Sequence, residues 1–142
     1  MWDLLKPVED QIATGKIDEF CGAMHLPLHW VSVVLNFQQL KILYGDSLGG
    51  QLPASEHQAL ERWMKLLARH SRRFSTGSKI THGPLPTGHQ PDFYFCGLFA
   101  LNSISHYHLN TPLLTPDPIV LVCRRMQITM DIISTMTVCI LY

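Results

Sequence analysis

The sequence predicts an α+β domain, and three stretches carry the prediction. His29-Trp30-Val31-Ser32-Val33-Val34-Leu35-Asn36-Phe37 is β-branched and aromatic, and Lys41-Ile42-Leu43-Tyr44 follows it after a short polar turn. Leu60, Trp63, Met64 and Leu67 recur at i, i+3, i+4 and i+7, the stripe of an amphipathic helix. Cys96 to Leu109 carries no charge and sets Leu98, Phe99, Leu101 and Ile104 where a largely buried helix needs them. Strands and helices in this order belong to an α+β architecture.

Taken in order, the first two runs read as an antiparallel hairpin, and the nearly unbroken apolar segment Val31 to Leu35 makes its first strand central. Pro and Gly cluster from Gly45 to Pro53 and from Gly77 to Pro91, which predicts loops there. Between them Ser55-Glu56-His57-Gln58 has the form of a capping box at the start of the amphipathic helix. The opposite face of that helix, Arg62, Lys65, Arg69, Arg72 and Arg73, is basic and expected in solvent. A last helix is predicted to start near Asp117-Pro118, where proline suits a first turn, and to run through Val122, Met126, Met130 and Ile133. Met64, Met126 and Met130 are expected to fill core.

One domain over residues 1–142 is the natural division for 142 residues, with 46% of them hydrophobic and enough to bury a core. Eleven basic and eleven acidic side chains leave a formal charge of zero, and charged residues are only 15% of the chain. No field of that size draws a protein to nucleic acid or to an acidic membrane surface. The longest uncharged terminal stretch, Ile132 to Tyr142, is 11 residues, whereas a spanning helix needs about 20. The cysteines at 21, 96, 123 and 139 form no CxxC pair and no disulfide framework, and the N-terminal residues lack the order of a signal peptide. A reducing compartment, nucleus or cytoplasm, and a monomeric state are expected.

The residues able to do chemistry lie at three places. From Ile80 to Cys123 the only charged residues are Asp92 and Asp117, yet the stretch holds His82, His89, Gln90 and Cys96. Cys96-Gly97 opens the uncharged helix, where the dipole and free N–H groups stabilise a thiolate; a lone cysteine there is more often simply buried. The hairpin brings His29 and Asp46 to one edge of the sheet, so that the carboxylate can hold one ring nitrogen while the other faces a thiol. Gln90, six residues before Cys96, can join the Cys96 N–H as a second donor to an oxyanion. Read singly, His29 and Trp30 would be a strand start packed on the core, Asp46-Ser47 turn chemistry, and Gln90 a loop cap. Cys21, His25 and His29 stand four apart, a zinc spacing if helical, but Leu26-Pro27-Leu28 breaks any helix between them; with His106 and His108 as the other hint, no metal site is expected.

Together, His29-Trp30, Tyr44-Gly45-Asp46-Ser47-Leu48-Gly49, and Gln90-Pro91-Asp92 through Cys96-Gly97-Leu98-Phe99-Ala100 set His, Asp, Gln and Cys at separations of 17, 44 and 6. This order and spacing resembles the ubiquitin-like-protein protease family, the desumoylating cysteine peptidases related to the adenovirus endopeptidase. Papain-type enzymes place the cysteine first, and chain order separates the two groups. The resemblance covers roughly Leu26 to Leu109. It implies a papain-like fold, with a mostly antiparallel sheet and the nucleophile at the N-terminus of a buried helix. It further implies Cys96 as nucleophile, His29 as general base and acid, Asp46 as its orienting partner, Gln90 in the oxyanion hole, and Trp30 as one wall of the slot for a Gly-Gly tail.

The implied activity is that of a cysteine peptidase or isopeptidase cleaving after the C-terminal Gly-Gly of SUMO or a related ubiquitin-like modifier, with no cofactor. The basic helix face would offer an acidic modifier a docking surface. Two departures stand out: only 28 residues precede His29, where family domains carry several dozen more, and Phe95 stands before the nucleophile where a small or acidic residue is usual. An incomplete N-terminal lobe is therefore expected. The alternative expectation is a catalytically impaired family remnant that acts as a ubiquitin-like-protein binding module.

Overall fold

The computed structural model describes residues 2–71, 74 and 77–140, with side chains from residue 6 to residue 131 among them. Within these residues β1 (Glu19–Leu26), β2 (His29–Asn36), β3 (Lys41–Gly45) and β4 (Thr81–Pro84) form one sheet in the order β1-β2-β3-β4. The predicted hairpin is β2–β3, antiparallel, with Ser32 opposite Gly45 and Asn36 opposite Lys41. Its first strand is central, because β1 pairs antiparallel along its other side. The two-residue turn Pro27-Leu28 joins β1 to β2 and holds Leu28 at φ 61°. β4 runs parallel to β3, and reaches it through the crossover helix α2 (Ala54–Ala68), as parallel pairing requires.

Alternation along β2 and β3 divides the core between two helical layers. Val33, Leu35 and Ile42 face α1 (Trp2–Ala13) and α2, where they meet Ile12, Met64 and Leu67. Val34 and Leu43 face the other way, with Leu85 and Tyr107 of α3 (Cys96–Leu109). Phe99, Leu114 and Leu121 form a further cluster that ties α3 to α4 (Pro118–Ile140). The first turn of α4 is capped by Asp117, whose carboxylate accepts from the Ile119 N–H at 2.8 Å and the Val120 N–H at 3.3 Å.

Several expectations need correction. The Gly77–Pro91 loop contains β4, because residues 81–84 complete the sheet edge beside β3. Ser55 lies inside α2 rather than at its cap: Pro53 holds the cap position, no side chain caps the helix, and the Ser55 hydroxyl bonds the Glu56 carboxylate instead. The basic face is not wholly solvated, since Arg69 donates two bonds to Glu9 of α1 and holds that carboxyl below its ordinary range. Arg72, Arg73 and the Ile133 side chain lie outside the described residues. Met64 is buried as expected, but Met126 and Met130 are exposed, because α4 turns Leu121 rather than its Val122-Met126-Met130 face to the core. Trp63 and Leu101 are also exposed.

Candidate active site

One end of the sheet gathers the residues singled out above. His29 opens β2 and Asp46 follows β3 directly, and the pairing of Ser32 with Gly45 leaves Asp46 on the sheet face that His29 shares, opposite a position two residues further along β2; His29 Nε2 lies 2.7 Å from Asp46 Oδ1, and both side chains are largely buried. This leaves Nδ1 as the ring nitrogen without a partner. Asp46 Oδ1 also accepts the Leu48 N–H at 2.8 Å, and Oδ2 accepts the Tyr44 hydroxyl at 3.1 Å. Burial pushes the Asp46 carboxyl up, but the bonds from Leu48, His29 and Tyr44 outweigh it and hold the group below the usual carboxylate range. Burial and the neighbouring Asp46 charge push the Tyr44 phenol up, so it remains a donor.

Two glycines beside this carboxylate in the chain stand where a side chain has no room. A Cβ on Gly45 would lie 2.6 Å from Ser32 Oγ and 2.9 Å from the Leu85 carbonyl oxygen, and one on Gly50 would lie 2.5 Å from Asp46 Oδ2. No side chain fits at either position without displacing a neighbour.

Cys96 is the first residue of α3 and only 7% exposed. Its backbone N–H sits in the first turn of the helix and has no intrahelical acceptor. The thiol makes no hydrogen bond to His29. The two are brought to the same end of the sheet by their chain neighbours, since the Trp30 Cδ1 atom lies 4.0 Å from where a Gly97 Cβ would stand. Trp30 and Cys96 line one cleft of about 520 Å³, together with Leu28, Phe93, Tyr94 and Arg125.

Gln90, 2% exposed, is fixed beside Asp46 rather than left reaching freely toward Cys96. Its backbone N–H donates to the Ser47 carbonyl at 3.0 Å, its side-chain oxygen accepts the Ser47 hydroxyl at 2.5 Å, and its amide nitrogen donates to the Asp92 carbonyl. One amide hydrogen is thus engaged and one remains.

The structure adds residues to which the sequence reading gave no role. Tyr44 shares a strand face with Asp46, two residues on, which is the signal that could have found it. His25 is the cross-strand partner of Trp30, and their rings stand 4.9 Å apart and tilted. Cys21 and His25 lie on β1 and His29 on β2, and among the described residues no three His, Cys, Asp or Glu side chains converge as a metal site. Among the same residues no helix is long and apolar enough to cross a membrane.

The model of the Ulp1 protease family, C-terminal catalytic domain, matches residues 21–132. By sequence, no curated protein matches the chain. Among solved structures, the chain is similar to the C-terminal Ulp1 protease domain in complex with Smt3, the yeast ortholog of SUMO, with TM-score 0.59 and 19% identity over 85% of this chain and 55% of that one. It is also similar to the SUMO protease Ulp1 with its catalytic cysteine oxidised to a sulfinic acid, with TM-score 0.61 and 20% identity over 86% and 56%. A third likeness is to the Ulp1-like SUMO protease catalytic domain of Chaetomium thermophilum, with TM-score 0.61 and 17% identity over 78% and 44%. At these identities the likeness is one of fold, and the chain spans about half the length of the solved relatives it matches. With a family model covering most of its length and the mixed α+β fold around a buried cysteine at a helix start, the chain belongs to the Ulp1 protease family.

Proposed function

We propose that this chain is a cysteine-type peptidase or isopeptidase that cleaves after the C-terminal Gly-Gly of SUMO or a related ubiquitin-like modifier. The observation that carries the reading is the largely buried His29–Asp46 contact at 2.7 Å, which leaves Nδ1 unpartnered at the end of the sheet where Cys96 begins α3. In the reaction the Cys96 sulfur attacks the carbonyl carbon and its proton passes to His29 Nδ1, with Asp46 holding the ring and the charge it acquires. The C–N bond then breaks, His29 gives the proton to the leaving amine, and a thioester remains. Water, deprotonated by His29, attacks that thioester; the C–S bond breaks and the thiol is restored. The Cys96 N–H and the remaining Gln90 amide hydrogen serve as oxyanion donors. Trp30 forms a flat wall that glycine, lacking a Cβ, can pass closely.

A SUMO probe ending in a propargyl or vinyl-sulfone group tests this. Cys21 and Cys123 are exposed thiols, so small thiol reagents do not report on Cys96 alone, whereas a tail-bearing probe must reach the cleft. The expected outcome is one covalent adduct that disappears in Cys96→Ala; an adduct surviving that substitution sinks the assignment. The engaged Gln90 amide favours a second reading, a binding module with a weakened oxyanion site. Its signature would be no adduct with any such probe alongside measurable binding of the unreacted modifier.

A further inference from the structure

Ser47 directly follows Asp46, and no step of the reaction described above uses its side chain. Ser47 is 4% exposed and Gln90 2%, so both side chains must find their partners within the protein. The Ser47 hydroxyl donates to Gln90 Oε1 at 2.5 Å, and the Ser47 carbonyl oxygen accepts the Gln90 backbone N–H at 3.0 Å. Gln90 Nε2 donates to the Asp92 carbonyl oxygen. Together these bonds allow the amide one orientation. The Asp92 carbonyl can only accept, so the nitrogen end must face it, and the oxygen end then needs a donor, which Ser47 supplies. Turned over, the amide would set its oxygen against the Asp92 oxygen. The serine is itself anchored, because the Leu48 N–H donates to Asp46 Oδ1 at 2.8 Å and the Gly49 N–H to the Asp46 carbonyl oxygen at 3.0 Å, which closes a turn around it.

We infer that Ser47 is a positioning residue for the oxyanion donor: its hydroxyl holds the Gln90 amide with the nitrogen, and the one hydrogen that nitrogen has left, on the side of the loop from Asp92 to Cys96. The inference rests on the reaction proposed above, in which that hydrogen meets the oxyanion. The two ends of a glutamine amide are nearly equal in size and opposite in polarity, so packing alone does not choose between them. With its oxygen toward the reacting carbonyl, the amide would repel the charge it has to stabilise. Without the Ser47 hydroxyl, Gln90 Oε1 becomes a buried acceptor with no donor. The side chain then keeps a single bond, to Asp92, and turning about its last torsion relieves the orphaned oxygen at the expense of the donor. Two neighbouring residues thus divide the site, Asp46 orienting the base and Ser47 the oxyanion donor. One short turn at the exit of β3 carries both, and so sets base and donor relative to each other.

The test uses the full chain and two SUMO derivatives. One carries a C-terminal aminomethylcoumarin, whose release passes through an oxyanion. The other ends in a propargyl amide, where the Cys96 S–H adds across the alkyne and leaves a vinyl thioether, with no charged oxygen on the way. Ser47→Ala should lower kcat for the coumarin about ten- to a hundredfold, leave KM unchanged, and slow the propargyl labelling by less than about threefold. Ser47→Cys, close in size and a far weaker donor, should show the same split, and decides alone if circular dichroism finds Ser47→Ala unfolded. In a Gln90→Ala background, Ser47→Ala should cost nothing further in kcat. The acid limb of the pH–kcat profile should stay in place, since Asp46 and His29 keep their contact; a displaced limb would put the effect at Asp46 and overturn the inference. Unchanged kcat, equal slowing of hydrolysis and labelling, or losses that add in the double variant would overturn it too, and any of these beside a wild type that hydrolyses the coumarin leaves the peptidase reading in place. A second arm follows the Gln90 side-chain amide protons by NMR, which should exchange with solvent at least about tenfold faster in Ser47→Ala than in the wild type. A wild type that neither hydrolyses nor is labelled removes the peptidase reading, and that exchange difference would then leave the hold of Ser47 on Gln90 standing, while its absence would remove both.

Discussion

Asp46 is held by three donors, the Leu48 N–H, the His29 ring and the Tyr44 hydroxyl, and a change there tests orientation apart from nucleophilicity. Asp46→Asn keeps the size but offers one acceptor oxygen and favours the wrong imidazole tautomer; the equivalent change in a serine protease lowers turnover about 10⁴-fold. A loss of about 10²- to 10⁴-fold in reporter cleavage is expected here, and unchanged turnover would remove Asp46 from the site. The same residue sets a pH dependence. Its folded pKa lies below the ordinary value, so its stabilisation is fully present above the unfolded carboxyl pKa, near 4, and is lost as the pH falls through the lower folded value. Urea midpoints of wild type and Asp46→Asn should therefore differ at pH 7 and converge toward pH 3. The pairing of His29 with Asp46 was legible because it follows from strand alternation and a short turn, both local. The capture of Gln90 by Ser47, across 43 residues, was not, because it depends on how two loops meet.

Elements whose signal is local were legible in the same way, and those supported by tertiary packing were not. The hairpin, α2, α3 and α4 carried periodicity. α1 contains Pro7, which removes a backbone donor, and the helix is secured instead by buried Ile12 and by the bonds from Arg69, the residue that caps the end of α2, to Glu9. β1 includes Gly22 and Ala23, poor strand formers by themselves, and forms because all eight of its residues pair with β2. β4 is four residues with a glycine and a proline, a sequence that reads as loop until β3 stands beside it. Two backbone positions give opposite expectations. Gly45→Ala forces a Cβ to 2.9 Å from the Leu85 carbonyl oxygen, which is backbone and cannot swing aside; a loss of about 1–3 kcal/mol is expected, read as a lower urea midpoint. Leu28 is 94% exposed at φ 61°, a left-handed conformation that costs a leucine about 1 kcal/mol. Leu28→Gly should relieve it, and after the entropic cost of a glycine a net gain of up to about 0.5 kcal/mol is expected; a lower midpoint would show that the turn is not strained.

At the scale of the molecule, the candidate site is assembled from both sides of the sheet: His29 and Asp46 belong to the β2–β3 unit, while Cys96 arrives on a helix packed across it. Composition and periodicity anticipated that layering but not which helix face would be covered, since a four-residue repeat of Val and Met specifies a shared face and leaves open what lies against it. The sheet also ends unequally. β4 closes one edge with four residues and Pro84, a short border that resists further pairing. β1 closes the other with eight residues of which only Glu19 is charged, and it carries exposed Phe20. A strand border of that length with its one fixed charge at the end is a template for further strands, so concentrated solutions of this chain should gain light scattering with time as molecules add edge to edge. Ala23 is exposed in the middle of that border, and Ala23→Lys should slow the rise in scattering, because each added strand would then bring like charges together along a growing stack.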